Sequence, residues 1–129
     1  MPRLPAPALA VAVVAVIAMV AAPGAFAKDG ILRIKGTCTS DATSKLKLSA
    51  ENGGIEVEFE VDQNRNGIPW RVTLRRNGVL VTSRTATTRA PSGSFTVRRI
   101  VRDTPGAQDR IVAVATSPGG ATCRAAGSL

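Results

Sequence analysis

The sequence predicts an all-β domain, an antiparallel two-sheet sandwich of about seven strands, and three observations carry that expectation. From Gly54 to Asp62 the apolar residues Ile55, Val57, Phe59 and Val61 alternate strictly with Glu56, Glu58, Glu60 and Asp62. Successive side chains of a strand point to opposite faces, so this segment has one apolar and one acidic face. Trp70, Val72 and Leu74 alternate in the same way with Arg71, Thr73 and Arg75. Finally, short alternating runs separated by Gly, Pro, Asn and Ser recur along the chain, and no helical period occurs after residue 27.

Residues 1–27 stand apart from this pattern. They hold a lone Arg3, an apolar run from Ala8 to Val20, and small Ala25 and Ala27 around Phe26. A charged start, an apolar centre and an A-x-A site read as a secretory signal peptide cut after Ala27. Pro23 and Gly24 and the high Ala content argue against an anchoring helix, so no integral membrane span is expected after cleavage. Residues 28–129 are then one domain, secreted and either extracellular or associated with the cell envelope.

Within it, residues 28–36 give a first strand through Ile31, Leu32 and Ile34, and residues 37–44 a polar turn or tethered edge containing Cys38. Leu46 and Leu48 face inward between Lys45 and Lys47 before the Glu51-Asn52-Gly53-Gly54 turn. The strong strand follows, then the Trp70 strand, then Asn77-Gly78, the favoured two-residue hairpin turn because both central positions need positive φ. That turn sets Arg75 opposite Leu80 and Leu74 opposite Val81, with Val79 and Val81 inward. Residues 82–94, rich in Thr, Arg and Ser, read as a long irregular crossing loop. Phe95 and Val97 then point inward, Ile111, Ala113 and Ala115 share a face opposite Val112, Val114 and Thr116, and a last strand spans residues 121–126.

These elements fit an immunoglobulin-like order, with Gly54–Asp62 as strand B, Pro69–Arg76 as C, and C′, E, F and G starting at Val79, Ser94, Asp109 and Ala121. Trp70 occupies the place where such domains bury a Trp. Their B–F disulfide is missing. In an oxidising compartment Cys38 and Cys123 instead read as a bridge between the segment leading into strand A and strand G. Closing a loop of about 85 residues restrains the unfolded chain by about 4 to 5 kcal/mol in the chain-entropy account.

The run EVEFEVD, then Asn64-x-x-Gly67-x-x-Trp70-Arg71-Val72-Thr73-Leu74, then Ala90-Pro91-Ser92-Gly93-Ser94-Phe95-x-Val97, and the final Cys123-Arg124, resemble small secreted immunoglobulin-like β-sandwich proteins of actinobacteria. The resemblance covers essentially all of residues 28–129. It implies the fold and secretion, and it carries no functional residues with it.

The chemistry is read by elimination. The chain has no His, so a nucleophile–base pair would rest on Lys or carboxylates. Neither Ser-x-x-Lys nor Gly-x-Ser-x-Gly occurs, nor a Gly-rich phosphate loop, nor transition-metal ligand spacing. A non-enzyme without cofactor or metal is expected. Asp62-x-Asn64-x-Asn66-Gly67 imitates the opening of a calcium loop, but the twelfth position is Thr73 and Arg65 sits inside, so a polar turn serves equally well. The acidic ladder of Glu56, Glu58 and Glu60 is expected to pair with Arg98 and Arg102 on the neighbouring strand.

The charge is strongly basic, with 17 Lys and Arg against 9 Asp and Glu and a formal net charge of +8. A secreted domain rarely meets nucleic acid, and the low aromatic content offers no stacking platform, so a nucleic-acid partner is not expected. The candidate binding face is the outer side of the C–C′–F–G sheet: Arg71, Thr73, Arg75, Leu80, Val112, Val114 and Arg124. Three functions remain open. One is a non-catalytic module that binds a protein at or outside the envelope. Another is a basic adaptor for cell-wall or membrane polyanions. The last is an enzyme inhibitor acting through the loop at residues 82–92, where Arg84 and Arg89 also extend the basic surface.

Overall fold

The computed structural model describes residues 2–8 and 28–129; Met1 and residues 9–27, on which the signal-peptide expectation falls, lie outside the described residues. Nine strands follow one another: β1 (Ile31–Lys35), β2 (Thr37–Cys38), β3 (Thr43–Glu51), β4 (Gly54–Asp62), β5 (Pro69–Arg76), β6 (Val79–Thr87), β7 (Ser94–Arg102), β8 (Arg110–Thr116) and β9 (Thr122–Ser128). They form two antiparallel sheets, a four-stranded one in the order β1-β3-β4-β7 and a five-stranded one in the order β2-β9-β8-β5-β6. The strands β4 to β9 thus take the places of B, C, C′, E, F and G, which is the immunoglobulin-like arrangement.

The count exceeds seven because the first segment is shared between the sheets. Gly36 stands at the crossing: its N–H donates to Ser44 O at 2.8 Å. A Cβ there would lie 2.1 Å from Ser44 Oγ and 2.9 Å from Arg124 O, so only glycine lets the chain pass this close. Residues 37 and 38, expected as a turn or tethered edge, pair as β2 with β9, and Cys38 stands directly opposite Cys123. The two are bridged, with Cα atoms 4.0 Å apart.

The other departure is β6. The chain does not become irregular at Thr82 but runs as a strand to Thr87, paired along β5 from Pro69↔Thr87 to Arg76↔Val79. Its inward register positions, Thr82 and Arg84, are polar because β6 is the edge of its sheet, where the apolar alternation that marks an interior strand is not required. Arg75 pairs with Leu80 as expected, but a bulge after Leu74 sets Leu74 opposite Thr82 rather than Val81. Val79, expected inward, is 66% exposed.

The core lies between the sheets. Leu46, Leu48, Ile55, Val57, Phe59 and Val61 come from one layer, and Trp70, Val72, Leu74, Ile111, Ala113 and Ala115 from the other. Each large side chain moved from water contributes about 1.5–3 kcal/mol. Trp70 is fully buried, its indole N–H donates to Gln63 Oε1 at 2.9 Å, and its ring lies 6.4 Å from that of Phe95. The indole nitrogen therefore enters the core with its donor satisfied.

One end of the sandwich is locked by Asp109, which is fully buried. Its Oδ1 accepts from Asn77 Nδ2 at 2.8 Å and Thr104 Oγ1 at 2.7 Å, and lies 3.1 Å from an Arg76 guanidinium nitrogen. Its Oδ2 accepts from the Thr104 N–H at 2.6 Å and from Lys28 Nζ. Its backbone pairs in both directions with Leu129. Burial alone would push this carboxyl up, but the bonds from Lys28, Thr104 and Asn77 outweigh it and hold the group well below the usual carboxylate range.

Candidate binding face

The residues expected on the outer side of the C–C′–F–G sheet are brought together in three adjacent rows. Leu80, Arg75, Val112 and Ala126 stand side by side across β6, β5, β8 and β9. The next row reads Ser83, Thr73, Val114, Arg124 and Thr37, and the third Thr85, Arg71, Thr116 and Thr122. Arg71, Arg75 and Arg124 are exposed, whereas Val112 and Val114 are half-buried among their neighbours. The face is therefore less apolar than its residue types suggest. Leu80, 47% exposed, lies at its margin.

Hydroxyls and guanidinium groups dominate instead. Ser83, Thr85 and Thr122 were not among the residues expected here, and neither was Arg110 at the outward start of β8; Thr116 was expected on the side of Val112 and Val114 but was not counted in the binding face. The outward places of Ser83 and Thr85 were hidden because β6 carries polar residues on both faces; the β-branched Thr82, Thr85 and Thr87 were the available signal.

The charge is segregated between the sheets. The strands of the five-stranded sheet hold Arg71, Arg75, Arg76, Arg84, Arg110 and Arg124 and no Asp or Glu. Arg76 is committed to Asp109; among the described residues the others have no carboxylate within ion-pair distance. Arg75 donates to the Gly78 carbonyl at 3.3 Å.

The four-stranded sheet is the opposite case, and the acidic ladder of β4 is neutralised from both sides. Glu58 stands between Lys47 and Arg98, and Glu60 opposite Lys45. Arg98 reaches Glu58 at 2.5 Å and Glu56 at 3.5 Å, while Lys45 lies 3.5 Å from Glu60. A hydrogen bond between the two carboxyls raises Glu56 and lowers Glu58, and Arg98 and Lys47 hold Glu58 down further. Arg102, expected to join the ladder, pairs in register with Gly54 instead. With Arg98 and Lys45 largely in water, these pairs fix register more than they stabilise.

The loop after β4 lines an open hollow of about 580 Å³ with Ser40, Asp41, Asp62 and Arg65. There Asp62 Oδ1 accepts the Asn64 N–H at 3.0 Å, and Asn64 has a φ of 54°. That is the geometry of a polar turn. Among the described residues no three His, Cys, Asp or Glu side chains converge as a metal would require, and no helix is long and apolar enough to cross a membrane. In comparisons with known proteins, no family model matches the chain, and no curated protein or solved structure matches it significantly.

Proposed function

We propose that this chain is a secreted, non-catalytic binding module that holds an anionic polymer of the cell envelope on the outer face of its five-stranded sheet. The observation that carries the reading is the charge segregation: arginines that have no carboxylate partner among the described residues and a field of hydroxyls on one face, without a carboxylate among its strands. Guanidinium groups match phosphate and carboxylate oxygens with two parallel N–H donors, and hydroxyls supply further bonds to either. Arg71 and Arg75 lie four residues apart on β5, about 13 Å at the rise of a strand. A chain of repeating negative charge can meet both, whereas one small anion cannot. The disulfide fits an oxidising compartment.

A protein partner, the other ligand class suggested by exposed Val and Leu, is favoured less because Val112 and Val114 are half-buried. The test is retention of the protein on an immobilised poly(glycerol phosphate) and on a neutral polysaccharide. Retention on the anionic polymer should fall by about tenfold or more between ~50 and ~500 mM salt, since screening shortens the reach of exposed charges. Replacing Arg71, Arg75 and Arg124 together by Gln should remove it. Equal retention on the neutral polymer, or retention indifferent to salt, would overturn the reading.

A further inference from the structure

Where β6 and β7 face each other across the open side of the sandwich, the basic surface turns inward. The cleft there has a volume of about 530 Å³, and Arg84, Thr87, Arg89, Ser94, Phe95 and Thr96 line it. That is the size of a small-ligand pocket. Arg84 occupies an inward register position opposite Val72, on the edge strand. A guanidinium does not enter an apolar core unpaired, so the side chain lines the mouth between the sheets.

Arg89 is held rather than loose. It forms a two-residue bridge with Ser94, with the Arg89 N–H donating to Ser94 O at 3.0 Å and the Gly93 N–H to Arg89 O at 2.8 Å. The preceding Thr88 is buried, its hydroxyl donating to Arg65 O at 2.6 Å and accepting the Ile68 N–H at 3.0 Å. Gly93 packs so closely that a Cβ would lie 2.2 Å from Arg65 N, at a φ of 69°. The loop carrying Arg89 is thereby fixed against the β4–β5 loop. Behind the cleft Ala86 and Phe95 are buried, with Phe95 backed by Trp70, so the wall open to a ligand is predominantly polar. No carboxylate lines the cleft, and among the described residues neither arginine has one within ion-pair distance.

We infer that this cleft is a binding subsite for a single sugar- or polyol-sized unit bearing an oxyanion, with Arg84 and Arg89 holding the anion. The inference deepens the proposed function and rests on it, because the unit would be one repeat or the end of the polymer lying on the outer face. Phosphate esters and uronates share the required chemistry, two or three oxygens that accept from a guanidinium fork. An edge arginine can also serve only to repel strand pairing with another chain, and the experiment separates these roles.

The whole protein is titrated with glycerol 3-phosphate, glucuronate and glucose at low salt, following backbone amides by NMR and affinity by calorimetry. One or both anions should bind saturably, with shifts centred on residues 84–89 and 94–96, and glucose should not bind. Whichever anion binds more tightly identifies the source. Arg84→Gln with Arg89→Gln should weaken binding about tenfold or more, the loss expected for charge-assisted bonds. Lys35→Gln with Arg102→Gln, exposed cations of the other sheet that do not line the cleft, should leave it unchanged. Binding of glucose as tight as the anions, shifts confined to the outer face, or unaltered affinity in the cleft variant would overturn the subsite. The wild-type shift map decides the matter even if the cleft variant folds poorly. Polymer retention lost in the outer-face variant while the anions ignore the cleft removes the subsite alone. Anion binding in the cleft alongside salt-indifferent polymer retention removes the proposed function and leaves the subsite standing.

Discussion

Replacing Asp109 by Asn should destabilise the protein by about 3–5 kcal/mol, the cost of breaking an ion-pair network centred on a buried carboxylate and leaving two partly buried cations without their anion. The carboxylate accepts from donors on both oxygens: Asn77, Thr104 Oγ1 and Arg76 at Oδ1, and Lys28 and the Thr104 N–H at Oδ2. An Asn amide keeps one acceptor oxygen and turns the other into a donor. In one orientation its NH2 meets Lys28 and the Thr104 N–H; in the other it meets Asn77 and Arg76. Neither is satisfied, and both leave Lys28 and Arg76 uncompensated beside a fully buried group. Against a total stability of about 5–15 kcal/mol this is a large fraction. With a urea m-value near 2 kcal/mol/M, the midpoint should fall by about 2 M at neutral pH. The sign of the pH dependence is fixed as well. The folded pKa of Asp109 lies below its ordinary 3.8, so its contribution is complete at pH values well above 3.8 and is lost as pH falls toward the folded value. The gap between wild type and variant should be constant from about pH 7 to 5 and shrink below about pH 4. A gap under about 1 kcal/mol, or one that stays flat down to about pH 2.5, would refute this account of the lock.

The disulfide closes 85 residues, so reduction, or Cys38→Ala with Cys123→Ala, should lower stability by about 4.6 kcal/mol in denaturant melts; a change below about 1 kcal/mol would show that the unfolded chain is already restrained. Gly36→Val should prevent the first strand from crossing between the sheets and leave little folded protein by circular dichroism, since its Cβ would sit 2.1 Å from Ser44 Oγ. Glu58→Gln, by contrast, should change stability by less than about 1 kcal/mol in the same melts, because its partners Arg98 and Lys47 lie on an exposed sheet face.

The interior of this fold was legible in the sequence, and its edges were not. Strands β4 and β5 have one face in the core and one in water, so burial imposes the strict alternation that reveals them, whereas β8 shows as a short run apolar on both faces. The Asn77-Gly78 turn was equally plain, and both residues have positive φ, 49° and 81°. β6 escaped because an edge strand can place Thr82 and Arg84 where an interior strand needs apolar residues. β2 escaped because two residues carry no period at all; its pairing follows from the bridge to Cys123 and the passage at Gly36. The binding-face residues could be placed once β5, β8 and β9 were assigned, since register carries Arg71, Thr73, Arg75, Val112, Val114 and Arg124 to one side. The Asp109 lock could not be placed. Lys28, Asn77, Thr104 and Asp109 are scattered along the chain, and only the closed sandwich brings them to one end.

A basic composition alone could reflect nothing more than solubility, and the distribution of the charge is what argues otherwise. Charge kept for solubility works wherever it stands, so it has no reason to leave one sheet without an acid while the other pairs its acids from both sides. The distinction can be measured with two variants that remove the same number of charges. Arg71→Gln, Arg75→Gln and Arg124→Gln neutralise the outer face of the five-stranded sheet. Lys35→Gln, Arg99→Gln and Arg102→Gln neutralise exposed cations of the four-stranded sheet that, among the described residues, take no part in its ion pairs. Both variants carry the same net charge, so any long-range attraction to a polyanion falls equally in the two. If position governs binding, retention on poly(glycerol phosphate) at moderate salt should be lost in the first and nearly preserved in the second. Equal losses would mean that the protein acts as a diffuse cation, and the ordered rows of arginine and threonine on β5, β8 and β9 would then have no part in recognition.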